Sequence, residues 1–204
     1  MSVIEQIIPQ IGQDSPKRQQ VLDGARRAFL EKGFDGTSVN DIARSACVSK
    51  GTIYAYFPSK ETLFETMIFE DRRKQAEALF DLSYDGQVPL KFLTELGCRL
   101  LSLMVDPQTI AYVRMVIAAS AKFPEAGRAY FAAGPMFGIE KLSGYFASLG
   151  LSPAEQAATD FIELCSAGTV KPLMFGFDVP CDQARLESQA KRAAQLILKA
   201  YSAP

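Results

Sequence analysis

Apolar residues recur along this chain at helical spacing nearly from end to end. From 16 to 33 they form one stripe, Val21, Ala25, Ala28 and Phe29. Ser15 stands at the cap position, Pro16 at the first helical position, and Gly33 is the expected left-handed stop. Residues 37–57 then carry two short helical patterns in succession. Val39, Ile42, Ala43 and Ala46 make an apolar face behind a Thr37 or Ser38 cap, with Asp41 three residues after Ser38 as in a capping box. Cys47 and Val48 make the turn. Ser49 caps the second helix, in which Ile53 and Phe57 fall together, and Pro58 stops it by disfavouring the helical conformation in the residue before it. From Ser59 a long helix runs to about Leu82. Its Leu63, Phe64, Met67, Ile68, Phe69, Ala76, Leu79 and Phe80 are too broadly apolar for a contact with one partner helix. The turn at Tyr84, Asp85 and Gly86 ends it.

Further helices are predicted near 88–105, 107–122, 125–148, 153–175 and 182–201, punctuated by Asp106 and Pro107, Phe123 and Pro124, residues 150–153 and residues 176–180. Strand-like alternation and internal repeats are absent, so the fold class is all-α. Residues 1–15, with Pro9, Gly12 and Asp14, read as a flexible arm; it has no basic residue before Lys17, so no minor-groove role is assigned to it.

The second short helix is unusual on its outer side. Gly51, Thr52 and Ala55 lie opposite Ile53 and Phe57, and a solvent-facing glycine in a helix costs about 0.8–1 kcal/mol against alanine. Close approach to another surface compensates such a cost. A bare helix with Ser49 and Thr52 hydroxyls, flanked by Lys50, Tyr54 and Tyr56, suits base edges and phosphates in a DNA groove. Thr37 and Ser38 begin the preceding helix, and Lys60 begins the next, where phosphate binds well. The structural alternative is three packed helices with a solvated polar face.

Charge sharpens the picture. The chain of 204 residues has a formal net charge of −1, but residues 16–60 hold eight Lys or Arg against four acids, so the remainder is acidic. A modestly basic head on an acidic body fits a local DNA contact better than wholesale coating of a polyanion. The sequence has no histidine, which removes Ser-His-Asp and Cys-His nucleophile systems and the commonest transition-metal ligand. Cys47, Cys98, Cys165 and Cys181 form no C-x-x-C pair; buried reduced thiols are the default reading, a redox sensor the alternative. No cofactor, metal or membrane partner is implied. Without a long uninterrupted apolar run or a basic-then-apolar leader, a cytoplasmic location is expected.

The run Phe34-x-Gly36-Thr37-Ser38-Val39-x-x-Ile42-Ala43, continued by Val48-Ser49-Lys50-Gly51-Thr52-Ile53-Tyr54-x-Tyr56-Phe57-x-Ser59-Lys60-Glu61-x-Leu63, resembles the DNA-binding signature of the TetR family of bacterial transcriptional regulators. The resemblance covers about residues 17–65. A second one, to the AefR-like C-terminal domain, runs through Val113-Arg114-Met115-Val116, Phe123-Pro124-Glu125, Tyr130-Phe131, Gly134-Pro135 and the apolar helix from Phe161. Together they imply a helix-turn-helix DNA-binding domain over 16–62 and a helical effector-binding and dimerisation domain over 63–204. They also imply a long helix from Ser59 that passes movement of the body to the head.

The body is rich in aromatic and sulfur-bearing side chains. With Arg99, Arg114 and Arg128 embedded among apolar neighbours, a cavity is one expectation, because a buried arginine is rare unless paired or facing a cavity. The candidate pocket comprises Phe92, Leu96, Arg99, Leu100, Met104, Tyr112, Arg114, Met115, Phe131, Phe137 and Phe161, with Arg114 meeting the polar end of a small apolar effector. Core packing is the alternative for most of these. By analogy with the family's four-helix interface, Phe161, Leu164, Cys165, Ala190, Ala193, Ala194 and Ile197 are the expected homodimer contact. The implied function is a homodimeric repressor released from double-stranded palindromic operator DNA by an apolar effector. The alternative is a helix-turn-helix protein with a body packed solid, acting as an architectural DNA-binding or protein-interaction module. No residue set at a telling spacing supports an enzyme.

Overall fold

In the computed structural model, which describes residues 15–81 and 87–202, the regular elements are all helices. They run α1 (Pro16–Gly36), α2 (Val39–Ala46), α3 (Lys50–Tyr56), α4 (Lys60–Phe80), α5 (Pro89–Val105), α6 (Pro107–Ser120), α7 (Pro124–Ala133), α8 (Pro135–Ser148), α9 (Ala154–Ser166), α10 (Val170–Met174) and α11 (Gln183–Tyr201). Residues 1–14 of the expected arm and the turn at Tyr84, Asp85 and Gly86 lie outside the described residues. Among the described residues no single helix is long and apolar enough to cross a membrane.

The caps fall where side-chain chemistry put them. Ser15 Oγ accepts from Lys17 N–H at 3.3 Å, and Ser59 Oγ accepts from Thr62 N–H at 3.0 Å. Gly33 adopts φ 71°, ψ 173°, breaking α1 before its last turn in a conformation a side chain would resist. Two expected helices are each divided. Residues 125–148 separate into α7 and α8 at Gly134 and Pro135, because proline supplies no N–H to continue the ladder. Residues 153–175 separate into α9 and α10 at Gly168, whose φ is 73°.

By packing, the chain forms two compact units that do not follow the role-based division at 62/63. One extends through Arg73 and takes in Ala111–Gly134; the other holds Lys74–Ile110 and the residues from Pro135 onward. In the first unit Val21, Leu22 and Phe29 of α1, Ile42 of α2, Ile53 of α3 and Leu63, Phe64 and Met67 of α4 share a core with Tyr112, Met115, Val116 and Ala126. Burial of each larger side chain contributes roughly 1.5–3 kcal/mol. Phe64 lies with its ring centroid 4.7 Å from both Phe29 and Phe34. Gly24 of α1 touches α2 so closely that a Cβ there would lie 2.3 Å from Ala46 Cβ and 2.5 Å from its Cα.

Charged pairs fasten α1 to α4. The buried Arg18 makes a bidentate pair with Glu70 and lies 5.3 Å from the Phe57 ring centroid, while Arg26 Nε donates to Asp71 at 2.8 Å. Tyr112 Oη donates to the same carboxylate at 3.3 Å.

The second unit buries Leu93, Leu96 and Leu101 of α5 against Ala157, Phe161 and Cys165 of α9 and Ala190, Ala193, Ala194 and Ile197 of α11. Gly97 admits this approach: a Cβ there would stand 3.0 Å from Ala190 Cβ and 3.1 Å from Cys165 Sγ. Of the cysteines only Cys165 is buried, and desolvation pushes its thiol up to about 12; Cys47 is exposed, which corrects the uniform buried-thiol reading.

Candidate nucleic-acid interface

The α2–α3 pair is built from local hydrogen bonds. Ser38 Oγ accepts from Asp41 N–H at 3.2 Å while Asp41 Oδ2 accepts from Ser38 N–H at 3.0 Å, a complete capping box. The Lys32 ammonium, 2.7 Å away, and then Ser38 hold the Asp41 carboxyl well below the usual carboxylate range. Cys47 closes α2 in the left-handed conformation, φ 52° and ψ 47°. Ser49 Oγ then accepts from Thr52 N–H at 3.0 Å and lies 2.9 Å from Thr52 Oγ1.

This frame sorts α3 into two sides. Ile53 and the capping Phe57 are each 2% exposed, packed into the core of the first unit. Lys50, Gly51, Tyr54 and Ala55 are exposed, Tyr54 by 52%, and Thr52 is half-buried. Tyr56 is also half-buried, its Oη 3.1 Å from Ser15 Oγ, so it ties the end of α3 to the start of α1. A Cβ at Gly51 would meet only Ser49 Oγ, at 3.6 Å. Among the described residues nothing requires glycine there, and the helix backbone is open to an approaching surface.

Two residues expected on this surface belong elsewhere. Thr37 is 2% exposed and its hydroxyl donates to the carbonyls of Ala28 at 3.1 Å and Gly33 at 2.6 Å. A side chain so enclosed does not reach a nucleotide; it satisfies the carbonyls left over where Gly33 breaks α1. Lys60 Nζ donates to the carbonyls of Phe34 at 2.9 Å and Thr37 at 3.0 Å, with its charge 4.2 Å from the Phe34 ring centroid. The ammonium therefore neutralises a helix C-terminus rather than facing outward. Lys60→Met is expected to destabilise the protein by about 1–2 kcal/mol, read as a fall in Tm, and to leave the salt dependence of DNA binding unchanged. A phosphate contact would instead reduce that slope by about one. The cation that sequence reasoning passed over is Arg44 of α2, whose side chain is 78% exposed and only loosely paired with Asp41 at 3.5 Å. Its signal was a base on the polar side of a capped amphipathic helix.

The expected pocket is not assembled as a set. Arg99, Arg114 and Arg128 are all exposed, and Arg128 pairs with Glu125 at 2.9 Å, so the embedded-arginine premise is overturned. Tyr112 and Met115 lie in the core of the first unit, whereas Phe92, Leu96, Leu100 and Phe161 lie in that of the second, with Met104 packed against it. Phe131 is 59% exposed; Phe137 is buried, its ring 6.2 Å from that of Phe80. Of these candidates, Phe92 and Leu96 do line an open cleft of about 440 Å³, together with Phe80, Leu142, Tyr145, Glu140, Lys141 and Gly144.

The expected dimer contact is corrected too. Phe161, Cys165, Ala190, Ala193, Ala194 and Ile197 are each at most 2% exposed, and Leu164 is half-buried. The six buried side chains serve the approach of α9 and α11 to α5 within one chain, so they are not available to a second copy, whereas Leu164 keeps part of its surface open.

Comparison with known proteins adds to this geometry. Residues 21–67 match the family described as bacterial regulatory proteins, tetR family, and residues 91–203 match the AefR-like transcriptional repressor, C-terminal domain. The HTH-type transcriptional repressor AcnR of Corynebacterium diphtheriae is 38% identical over 65 residues, 32% of this chain and 34% of that protein. The HTH-type transcriptional regulator UidR of Escherichia coli is 39% identical over 59 residues, 29% of this chain and 30% of that protein. The chain thus spans about a third of the length of these curated relatives. Among solved structures, the Flavonoid-responsive Regulator FrrA is similar with a TM-score of 0.75 and 28% identity, over 90% of this chain and 96% of that one. A TetR family transcriptional regulator from Pseudomonas syringae shares the fold with a TM-score of 0.72 and 24% identity, over 92% and 98%.

Proposed function

Because the chain belongs to the tetR family of bacterial regulatory proteins, with an AefR-like C-terminal domain, we propose that it is a DNA-binding transcriptional repressor. In this reading it acts as a homodimer on a palindromic operator and leaves it when a small apolar effector binds. The observation that carries the proposal is the bare outer side of α3, exposed at Lys50, Gly51, Tyr54 and Ala55 and fixed from behind by Ile53 and Phe57. Such a helix enters the major groove with Gly51 and Ala55 nearest the base edges. Thr52 and Tyr54 read bases, and Lys50 and Arg44 meet phosphates. The curated relatives that match the head are named as transcriptional repressors or regulators, which supports repression over an enzymatic role.

A single short recognition helix binds weakly, and two half-sites roughly 34–36 Å apart supply the missing affinity. With the small residues of α9 and α11 turned inward, the surface open to a second copy is the outer side of these helices. There α9 carries Glu155 and Glu163, and α11 carries Arg185, Arg192 and Lys199 on the side of Leu196, which is 42% exposed, with Glu187 on the opposite side of the helix. Opposite charge on the two helices supports pairing of α9 with α11 of the second copy. Leu196→Glu is expected to weaken the dimer at least about tenfold, the loss of roughly 1.4 kcal/mol, and to lower operator affinity in parallel. Sedimentation velocity checks it; an unchanged dimer removes this face from the reading.

Effector response is supported by the open cleft, in contrast to a body packed solid, and by the similarity to a regulator named as flavonoid-responsive. Phe80 of the cleft is the last residue of α4, and Leu63 and Phe64 of the head's core stand near the first. One continuous helix therefore bears both ends of the signal, and a coupling of about 1–3 kcal/mol is the usual size of such an effect. The test is a gel shift with the DNA flanking the protein's own gene. Retardation that survives excess random duplex and protects a two-fold symmetric site is the expected result; retardation no stronger than that of random duplex overturns the proposal.

A further inference from the structure

We propose that the cleft between α5 and α8 takes a flat aromatic molecule with a single anionic group, laid against the bare backbone of α8 at Gly144. This rests on the effector reading of the same cleft and names the chemistry of its occupant. At about 440 Å³ the cleft falls within the ~300–1,000 Å³ range of small-molecule sites.

The two glycines of α8 have different reasons to be there. A Cβ at Gly138 would lie 3.0 Å from Phe80 Cε2, so the tight packing favours glycine there, and the contact places the Phe80 ring as one wall of the cleft. A Cβ at Gly144 would meet nothing within 4 Å. A glycine inside a helix is unfavourable relative to alanine, and among the described residues no neighbour compensates at this position. Its effect is a strip of uncovered backbone on the cleft side, onto which a planar ring can lie in van der Waals contact. The lining beside it is aromatic: Phe92 of α5 and Tyr145 of α8 pack on each other, their ring centroids 4.8 Å apart with planes at 60°, and together with Phe80 they give the cleft an aromatic side.

Charge selects the polar end. Lys141 stands one helical turn from Tyr145 on the same ridge, and its ammonium lies 5.3 Å from the Phe137 ring centroid. A ring face steadies a cation without neutralising it, so the full charge is available to an acid group at the mouth. Glu140, exposed and also lining the cleft, repels a second acid group. One anion on a flat apolar body is the combination that satisfies both.

The full chain, without DNA, is titrated calorimetrically with 2-naphthoate, 2-naphthamide, decanoate and 2,6-naphthalenedicarboxylate. The expected order places 2-naphthoate tightest, with decanoate and the dianion each weaker by about tenfold or more, one well-made contact's difference. Gly144→Leu, which fills the strip with a good helix former, is expected to abolish 2-naphthoate binding without lowering Tm; Gly144→Ala weakens it partially. Lys141→Gln is expected to reduce 2-naphthoate affinity about fivefold, the scale of an exposed charge contact, and to leave 2-naphthamide unchanged. Preference for decanoate, no effect of Gly144→Leu, or no binding by either naphthalene monomer overturns the proposal. The same variants are assayed for operator retardation without ligand, where wild-type behaviour is expected. If no duplex is specifically retarded yet the naphthoate pattern holds, the regulatory reading fails and the site stands; the converse result removes the site alone.

Discussion

Gly24→Ala is expected to break the reading head. The new Cβ would lie 2.3 Å from Ala46 Cβ, 2.5 Å from its Cα and 2.6 Å from its backbone nitrogen. These are not the ends of flexible side chains, so relief requires α1 and α2 to move apart as bodies. That movement opens the core where Val21, Leu22 and Ala25 meet Ile42. Overpacking usually costs about 1–3 kcal/mol, and with backbone on the obstructed side the cost belongs at the upper end or beyond. For a chain of this size that corresponds to a fall in Tm of roughly 6–12 °C, with operator retardation lost alongside. Ala46→Gly removes one of the three obstructing atoms and leaves the Cα and nitrogen, so the double variant is expected to remain destabilised. A wild-type Tm for Gly24→Ala means the α1–α2 contact is looser than these distances.

Local chemistry was legible in the sequence wherever one residue's side chain answers a neighbour's backbone. The caps at Ser15, Ser38 and Ser49, the break at Gly33 and the turn at Cys47 all depend on atoms within four residues, and all are present. The sorting of α3 into Ile53 and Phe57 against Gly51 and Ala55 followed from helical period alone. Reading failed where the answer depended on which neighbour a helix side faces. Arg114 has Val113, Met115 and Val116 beside it in sequence, yet points outward from α6 while Met115 and Val116 point in. Apolar sequence neighbours do not make an arginine buried. Ala190, Ala193 and Ala194 correctly signalled close helix approach, but small side chains do not say whether the approaching helix is α5 of the same chain or a second copy. Tyr112 and Phe92 share an aromatic-rich run of sequence but belong to different cores, because composition does not say which core a helix side joins.

Lys60 and Thr37 failed for a related reason. Both occupy positions where the chain turns sharply, and such turns leave carbonyls that need donors: Gly33 and Ala28 take the Thr37 hydroxyl, Phe34 and Thr37 take the Lys60 ammonium. Polar residues beside a DNA-reading helix thus divide into those that hold the turn and those that face outward. Exposure separates the two groups, and sequence period does not.

Gly51→Ala is expected to separate binding from folding. The added methyl meets only Ser49 Oγ, at an ordinary 3.6 Å, so the fold accommodates it without movement. Replacing an exposed helical glycine by alanine contributes up to about 1 kcal/mol of stability, and Tm should rise or hold. On the outer side the same methyl occupies the space into which a base edge must come. Loss of base contacts worth about 1–3 kcal/mol lowers operator affinity by roughly 5- to 150-fold. Lys50 and Arg44 are untouched, so binding to random duplex and its salt slope should stay at wild-type values. Fluorescence anisotropy with operator and random duplex, alongside thermal unfolding, reads all three quantities. A rise in stability with undiminished operator affinity means that the bare side of α3 is not the surface that meets DNA. A fall in stability instead means that the methyl meets something tighter than the 3.6 Å contact to Ser49 Oγ. Opposite changes in affinity and stability from a single methyl group are the outcome that a helix shaped by an external partner requires.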